Sequence, residues 1–400
     1  MHGAIKWLRR NALRLVALVA FSILALGIVP HPLASSLLPR LSPILGLLGP
    51  AAARAWIGWA MLLGVPLLAL AFLKGRVFCW RFCPMGFLAE LAGLLNPWGG
   101  RAVHRVPVLN TAILAVIAVS AAFGYPLFIW LDPLCIFNGF FAAWRAPLAA
   151  ATLATAICFA AVIAVSIAVP NIWCHRLCPL GGLQELVRYL ALRLRAALIG
   201  RISPPPSPNL PRRALIATIP AALAGFAAQR VFGANSRKAL RPPGADLERI
   251  NALCARCGNC MRACPYQLIQ PDLGDSGIDG LLTPVIWFRG RNPEQEQDCF
   301  QDCVKCTQVC PTGALRPISA EQKRKRAIGI AEIDQKKCIA WANSEYCAVC
   351  DEYCPYKAIK LTKRGEVMCP TVDETKCRGC GACESACAAD PVAITVKPLR

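Results

Sequence analysis

Acidic residues are almost missing from the first 236 positions of this 400-residue chain. Only Glu90, Asp132 and Glu185 occur there, against 20 Lys and Arg, while the other 20 acids lie in residues 237–400 beside 24 basic residues. That imbalance excludes one uniform soluble domain; an apolar, basic-flanked half followed by a mixed-charge half reads as a membrane part joined to a soluble part. The formal charge of +21 is then a topology signal, and nucleic-acid binding is not expected. Histidine is equally scarce, with none after His175, which excludes a Rieske centre from the second half. The first apolar run lacks a small-residue cleavage site, so a removable signal peptide is not expected.

What the chain has instead is cysteine. Four runs follow one another: Cys254-x2-Cys257-x2-Cys260-x3-Cys264-Pro, Cys299-x3-Cys303-x2-Cys306-x3-Cys310-Pro, Cys338-x8-Cys347-x2-Cys350-x3-Cys354-Pro and Cys377-x2-Cys380-x2-Cys383-x3-Cys387. The first has the bacterial ferredoxin spacing, in which three thiolates face one cubane and the fourth reaches a neighbouring cluster. Proline keeps the fourth cysteine out of a preceding helix. Disulfides would not repeat one grammar four times, and zinc ribbons do not need the trailing x3-Cys-Pro. A radical-SAM loop would leave the fourth iron open, whereas Cys310 completes the second run. Sixteen cysteines therefore predict four [4Fe–4S] clusters, with nested and sequential pairing of the runs both open. Cys369 is left over, its Cys-Pro context marking a turn.

Leu13–Pro30, Trp56–Leu73, Val108–Trp130 and Pro147–Val169 are apolar runs long enough for a bilayer core. Positive charge on residues 1–14, 74–105 and 171–213 places those segments on the cytoplasmic side. The expected fold is a membrane α-helical bundle of four spans plus a fifth over Ala214–Ala228, followed by an α+β polyferredoxin domain of paired ferredoxin-like modules. The expected domains are residues 1–200, 201–235 and 236–400.

A second repeat sits in the apolar half. Cys79-Trp-Arg81-Phe-Cys83-Pro-Met-Gly-Phe-Leu-Ala-Glu90-Leu matches Cys174-His-Arg176-Leu-Cys178-Pro-Leu-Gly-Gly-Leu-Gln-Glu185-Leu. Each copy closes a two-helix hairpin, so the half looks duplicated, and Cys79, Cys83, Cys174 and Cys178 are expected to converge on one or two further [4Fe–4S] clusters. Arg81 and Arg176 either stabilise an anionic cluster or anchor the helices. Glu90, Glu185 and Asp132 are candidate proton acceptors, because ionisable groups in apolar surroundings tend to be functional; against this, each Glu can pair with a nearby Arg and Asp132 can cap a turn. His104 and His175 read as solvated residues, Cys135 and Cys158 as apolar fillers.

Ser203-Pro-Pro-Pro-Ser-Pro is a semi-rigid linker. Arg212-Arg213 before a moderate apolar stretch resembles the signal of the folded-protein export route. Export would place the ferredoxin half in the periplasm; an interfacial helix would leave it inside.

Residues 1–200 resemble the NapH-type membrane ferredoxin and residues 205–400 are similar to the NapG-type four-cluster ferredoxin, as though two subunits were fused. The resemblance implies a multi-pass protein of the bacterial inner membrane. It would oxidise quinol from the membrane pool and pass electrons through its clusters to a periplasmic terminal reductase or c-type cytochrome. NosR- and CcoG-like membrane ferredoxins share the Cys-x3-Cys-Pro frame and imply the alternative of a cytoplasm-facing reductase or maturation factor. A redox sensor is a third reading. The expected partners are thus quinol, the lipid bilayer and a redox protein.

Overall fold

The structure, a computed structural model, describes residues 2–26, 32–56, 58–97, 108–143, 150–199, 218–221, 223–227, 235–288 and 298–399. The chain divides into two units: one of residues 1–231, 252–259 and 311–314, the other of 232–251, 260–310 and 315–400. The boundary falls inside the first cysteine run.

Unit 1 is helical: α1 (His2–Leu26), α2 (Pro32–Arg40), α3 (Pro43–Ala53), α4 (Val65–Lys74), α5 (Val77–Arg81), α6 (Pro84–Gly93), α7 (Asn110–Ala122), α8 (Pro133–Ala143), α9 (Ala150–Ala168) and α10 (Pro179–Ile199). Proline opens α2, α3, α6, α8 and α10, where its fixed φ suits the first turn and its missing N–H costs nothing.

The membrane bundle is not what these residues form. Among the described residues no helix is long and apolar enough to cross a membrane. In α1, Lys6, Arg9, Arg10 and Arg14 take the first half, leaving Leu15–Leu26, about 18 Å of apolar helix against a bilayer core of ~30 Å. The run Trp56–Leu73 breaks into a 3-10 turn (Trp59–Gly64) and the ten-residue α4. Gly58, at φ 100°, and Gly64, whose Cβ would lie 2.8 Å from the Pro43 Cα, are the breakpoints. Val108–Trp130 yields the 13-residue α7, stopped at Gly124 with φ 84°. Of Pro147–Val169, α9 covers Ala150–Ala168, and residues 147–149 lie outside the described residues. The fifth run is described only as short helical pieces at 218–221 and 223–227. The multi-pass inner-membrane placement falls with the spans that carried it. Pro204–Arg213, the twin arginines included, and His104 lie outside the described residues.

The repeats pack reciprocally. α10, which follows the second cysteine pair, lies on α4 of the first repeat, and α6, which follows the first pair, lies on α9 of the second. Around this exchange sits the core, including Leu67, Met85, Leu114, Ile117, Phe137, Trp173 and Leu180 together with Cys83 and Cys178. The cysteine frame is therefore interior.

Among its described residues, unit 2 has three antiparallel strand pairs. They are β1 (Ile269–Pro271) with β2 (Pro284–Ile286), β3 (Gly329–Ile333) with β6 (Ile394–Pro398), and β4 (Ile359–Arg364) with β5 (Val367–Val372). β4 and β5 join through the two-residue loop Gly365-Glu366, with Gly365 at φ 65°; such loops need a positive φ to match the strand twist. β3 and β6 enclose this hairpin in sequence, pairing Gly329 with Pro398 and Ile333 with Ile394. Small strand pairs with four-residue helical turns between them form the ferredoxin-like part of the expectation.

Candidate iron–sulfur centres

In unit 1 the two copies of the frame fold alike. Cys83 is the N-cap of α6 at φ −68°, ψ 116°, and Cys178 precedes α10 at φ −66°, ψ 115°. The extended conformation follows from the proline behind each. The Gly86 N–H donates to the Cys83 Sγ at 3.4 Å, and the Gly181 N–H takes the same role at Cys178. Neither glycine has room for a side chain without a shift of its neighbour: a Cβ would lie 2.9 Å from the Cys79 carbonyl oxygen at Gly86 and 3.0 Å from that of Cys174 at Gly181.

The four thiols lie within one another's fields. Burial first, and then the charges of Cys79, Cys174 and Cys178, push the Cys83 thiol well up. Burial, then Cys79 and Cys174, raise Cys178. Cys79 is pushed up to about 12 by burial and by Cys174, and Cys174 to about 11 by burial. The opposing charge comes from Arg76, which lowers Cys79 and Cys174 and donates to the Cys174 carbonyl at 3.1 Å.

The sequence reading missed Arg76. Its counterpart three residues before Cys174 is Asn171, so the signal was a departure between the copies. It also missed Gln184, fully buried against Cys79, with its Oε1 and Nε2 otherwise unpartnered. Arg81, by contrast, is exposed.

The candidate proton acceptors are paired or capped. Glu90 bonds Arg14 at 2.5 and 3.1 Å. Glu185 meets Arg76 at 2.8 Å and accepts from the Asn110 amide at 3.0 Å. Asp132, wholly buried, accepts from the Leu134 and Cys135 N–H groups at 3.0 and 3.3 Å and from the Ser42 hydroxyl at 2.5 Å; burial lifts its carboxyl to about 6. His175 is exposed, as expected of a solvated residue, and partial desolvation of its ring holds it below the usual imidazole value. Cys135 is a buried filler beside Leu45 and Ile129. Cys158 is exposed, so filling does not explain it.

In unit 2 the cysteines sort into groups that cross the runs. One pocket is lined by Cys338, Cys347 and Cys350 of the third run and by Cys387 of the fourth. Another is lined by Cys377, Cys380 and Cys383 of the fourth and by Cys354 of the third. In the same way Cys264, the last cysteine of the first run, stands with Cys299, Cys303 and Cys306 of the second. Where unit 2 decides it, pairing is therefore sequential: the last cysteine of one run completes its neighbour's set. The groups also touch, since the Cys299 N–H donates to the Cys380 carbonyl at 2.8 Å. Within unit 1, Cys254 accepts from the Arg256 N–H at 3.4 Å, and the Asn138 amide donates to the Cys257 carbonyl at 2.6 Å. Cys260 lies in unit 2, one residue past the boundary. Cys369 lies in β5 rather than in a turn, its thiol donating to the Ala340 carbonyl at 3.4 Å.

These residues fit iron–sulfur clusters. Backbone N–H groups reach the sulfurs of Cys310 (Leu315, 3.4 Å), Cys354 (Ala358, 3.3 Å) and Cys377 (Ala331, 3.5 Å), as they do to the ligand sulfurs of iron–sulfur clusters. Burial and neighbouring thiols push Cys350 and Cys383 up. Like charges so placed need a cationic core between them.

Such cysteine sets define an iron–sulfur electron-transfer protein of the ferredoxin type. Comparison bears this out. A 4Fe-4S dicluster domain model matches residues 253–315, and a 4Fe-4S binding domain model matches 56–105 and again 151–200, one Cys-x3-Cys-Pro copy in each. The chain is 35% identical over 199 residues to the methylamine utilization ferredoxin-type protein MauM of Methylobacillus flagellatus, covering 48% of this chain and 81% of that protein. It is 36% identical over 171 residues to the ferredoxin-type protein NapG of Escherichia coli, covering 40% of this chain and 71% of that protein. The chain belongs to this MauM/NapG family of ferredoxin-type [4Fe–4S] proteins. No solved structure matches it.

Proposed function

We propose that the chain oxidises a quinol and passes the electrons, one at a time, to a redox protein such as a terminal reductase or c-type cytochrome. The observation that supports conduction most is the exchange of cysteines between runs. Shared cysteines keep successive centres adjacent, and one-electron steps need that adjacency. In this reading the sixteen cysteines of the four runs hold four [4Fe–4S] clusters, and Cys79, Cys83, Cys174 and Cys178 hold a fifth, about twenty irons per chain.

The donor site is an apolar cavity of about 230 Å³ in unit 1, lined by residues of α3, α7 and α10, among them Ile44, Leu114, Leu183 and Thr111. The buried Thr111 hydroxyl has no partner among the described residues, and it offers one hydrogen bond to an aromatic oxygen in otherwise apolar walls. Beside it Asn110 reaches Glu185, and Glu185 reaches Arg76 next to the cysteines. Glu185, 43% exposed in its side chain, is placed to carry a quinol proton to solvent. Quinol leaves as quinone, having lost two electrons and two protons. Leu190, Leu194 and Leu198, exposed along α10, give that helix an apolar surface toward the lipid in which quinol dissolves.

The test mixes the cluster-loaded protein anaerobically with menadiol and follows bleaching of the cluster absorbance. Reduction by menadiol that is lost in Thr111→Val is expected. Reduction by dithionite alone would remove the quinol step and leave the conduction reading standing.

A further inference from the structure

The second run carries a charge that spacing does not reveal. Lys323 sits on the helix Ala320–Lys325, which a capping box closes: the Gln322 N–H donates to the Ser319 hydroxyl, and the Ser319 N–H donates to the Gln322 side chain. The fixed helix buries Lys323 to 5% exposure. Its three ammonium hydrogens are all used, on the Cys299 Sγ at 3.2 Å, the Phe300 carbonyl at 2.6 Å and the Cys303 carbonyl at 2.8 Å. Among the described residues no carboxylate forms an ion pair with it. A buried ammonium needs an anion, and here the anion is a cysteine sulfur of the Cys264, Cys299, Cys303 and Cys306 set.

We infer that Lys323 raises the reduction potential of the centre held by Cys264, Cys299, Cys303 and Cys306, making it the electron-collecting station of unit 2. Reduction adds one negative charge to the centre. A fixed positive charge in direct contact with a ligand sulfur favours the state with more negative charge, and hydrogen bonds to the sulfurs act in the same direction. Cys310, Cys354 and Cys377 receive neutral backbone N–H groups instead. The position suits a collector, because Cys299 is bonded through its N–H to Cys380 of the neighbouring set. The inference rests on the cluster reading and is independent of the quinol step.

The test is a redox titration of the full-length, cluster-loaded protein, followed by electron paramagnetic resonance, with iron content measured on each sample. In Lys323→Met the highest-potential signal is expected to move down by at least tenfold in its reduction equilibrium, which is 59 mV for a one-electron couple. Lys323→Arg keeps the charge and is expected to keep most of the potential. Unchanged potentials in Lys323→Met at full iron content would overturn the inference, as would a shift confined to a lower-potential signal. Loss of this centre's iron in both Lys323→Met and Lys323→Gln would overturn it too, in favour of a purely structural lysine.

Discussion

The two units hold cysteine in opposite ways. In unit 1 Cys83 and Cys178 stand at the starts of α6 and α10, inside a core of large side chains such as Met85, Phe137 and Trp173, and helix packing brings the two Cys-x3-Cys pairs together. In unit 2 the thiols line loops between strands of three to six residues, and the core beside the third run consists largely of Ala340, Ala389, Ala393 and the cysteines themselves. Where apolar burial is small, metal ligation must supply the folding energy. The first arrangement presents a site that exists before its metal; the second needs the metal in order to exist.

Stripping iron from the loaded protein with oxidant and chelator is the largest perturbation of this contrast. Hydrogen exchange is expected to show protection of β3–β6 and β4–β5 lost outright, with protection of α4, α7 and α10 retained. Equal loss in both units would erase the distinction. A smaller effect separates packing from ligation inside unit 1. Gly86→Ala and Gly181→Ala each force a methyl against a cysteine carbonyl, at a cost of roughly 1–3 kcal/mol. Calorimetry should show the helical unit melting several degrees lower, with the transition of unit 2 unmoved.

The smallest effect is one of sign with pH. Asp132 is lifted by burial to about 6, so the folded state binds its proton more tightly than the unfolded chain. Its contribution to stability is therefore greatest below pH 4 and declines as pH rises through 6, by at most about 3 kcal/mol. Asp373 in unit 2, held at about 2 by Thr375 and then by Lys360, runs the other way: its contribution is present above pH 4 and is lost as pH falls through 2. Asp132→Asn is expected to flatten the fall in stability of the helical unit between pH 4 and 6, read as melting temperature against pH. A slope that persists would assign the effect to another group.

The cysteine chemistry was legible because ligand spacing is local. The first three cysteines of a run stay together whatever the rest of the chain does, and the doubled Cys-x3-Cys-Pro frame announced a doubled fold. The proline and glycine of that frame proved as necessary as its cysteines. The spans were misread because a hydropathy average is blind to punctuation. Gly58, Gly64 and Gly124 interrupt apolar runs without lowering their mean hydropathy, and the helices stop there. Arg76 and Lys323 were illegible for another reason. Lys323 meets a sulfur 24 positions away and Arg76 a carbonyl 98 positions away, so only the fold brings them to their cysteines. Sequential pairing of the runs was likewise a property of the cavities.

The reciprocal packing of α6 on α9 and of α10 on α4 also sets a timetable for synthesis. Cys174 follows Cys83 by 91 residues, a wait of roughly 5–20 s on the ribosome. During that interval the first pair of thiols has no partner helix to cover it. Iron delivered early would find half a site, so the cell must either guard Cys79 and Cys83 or withhold the metal until α10 has emerged.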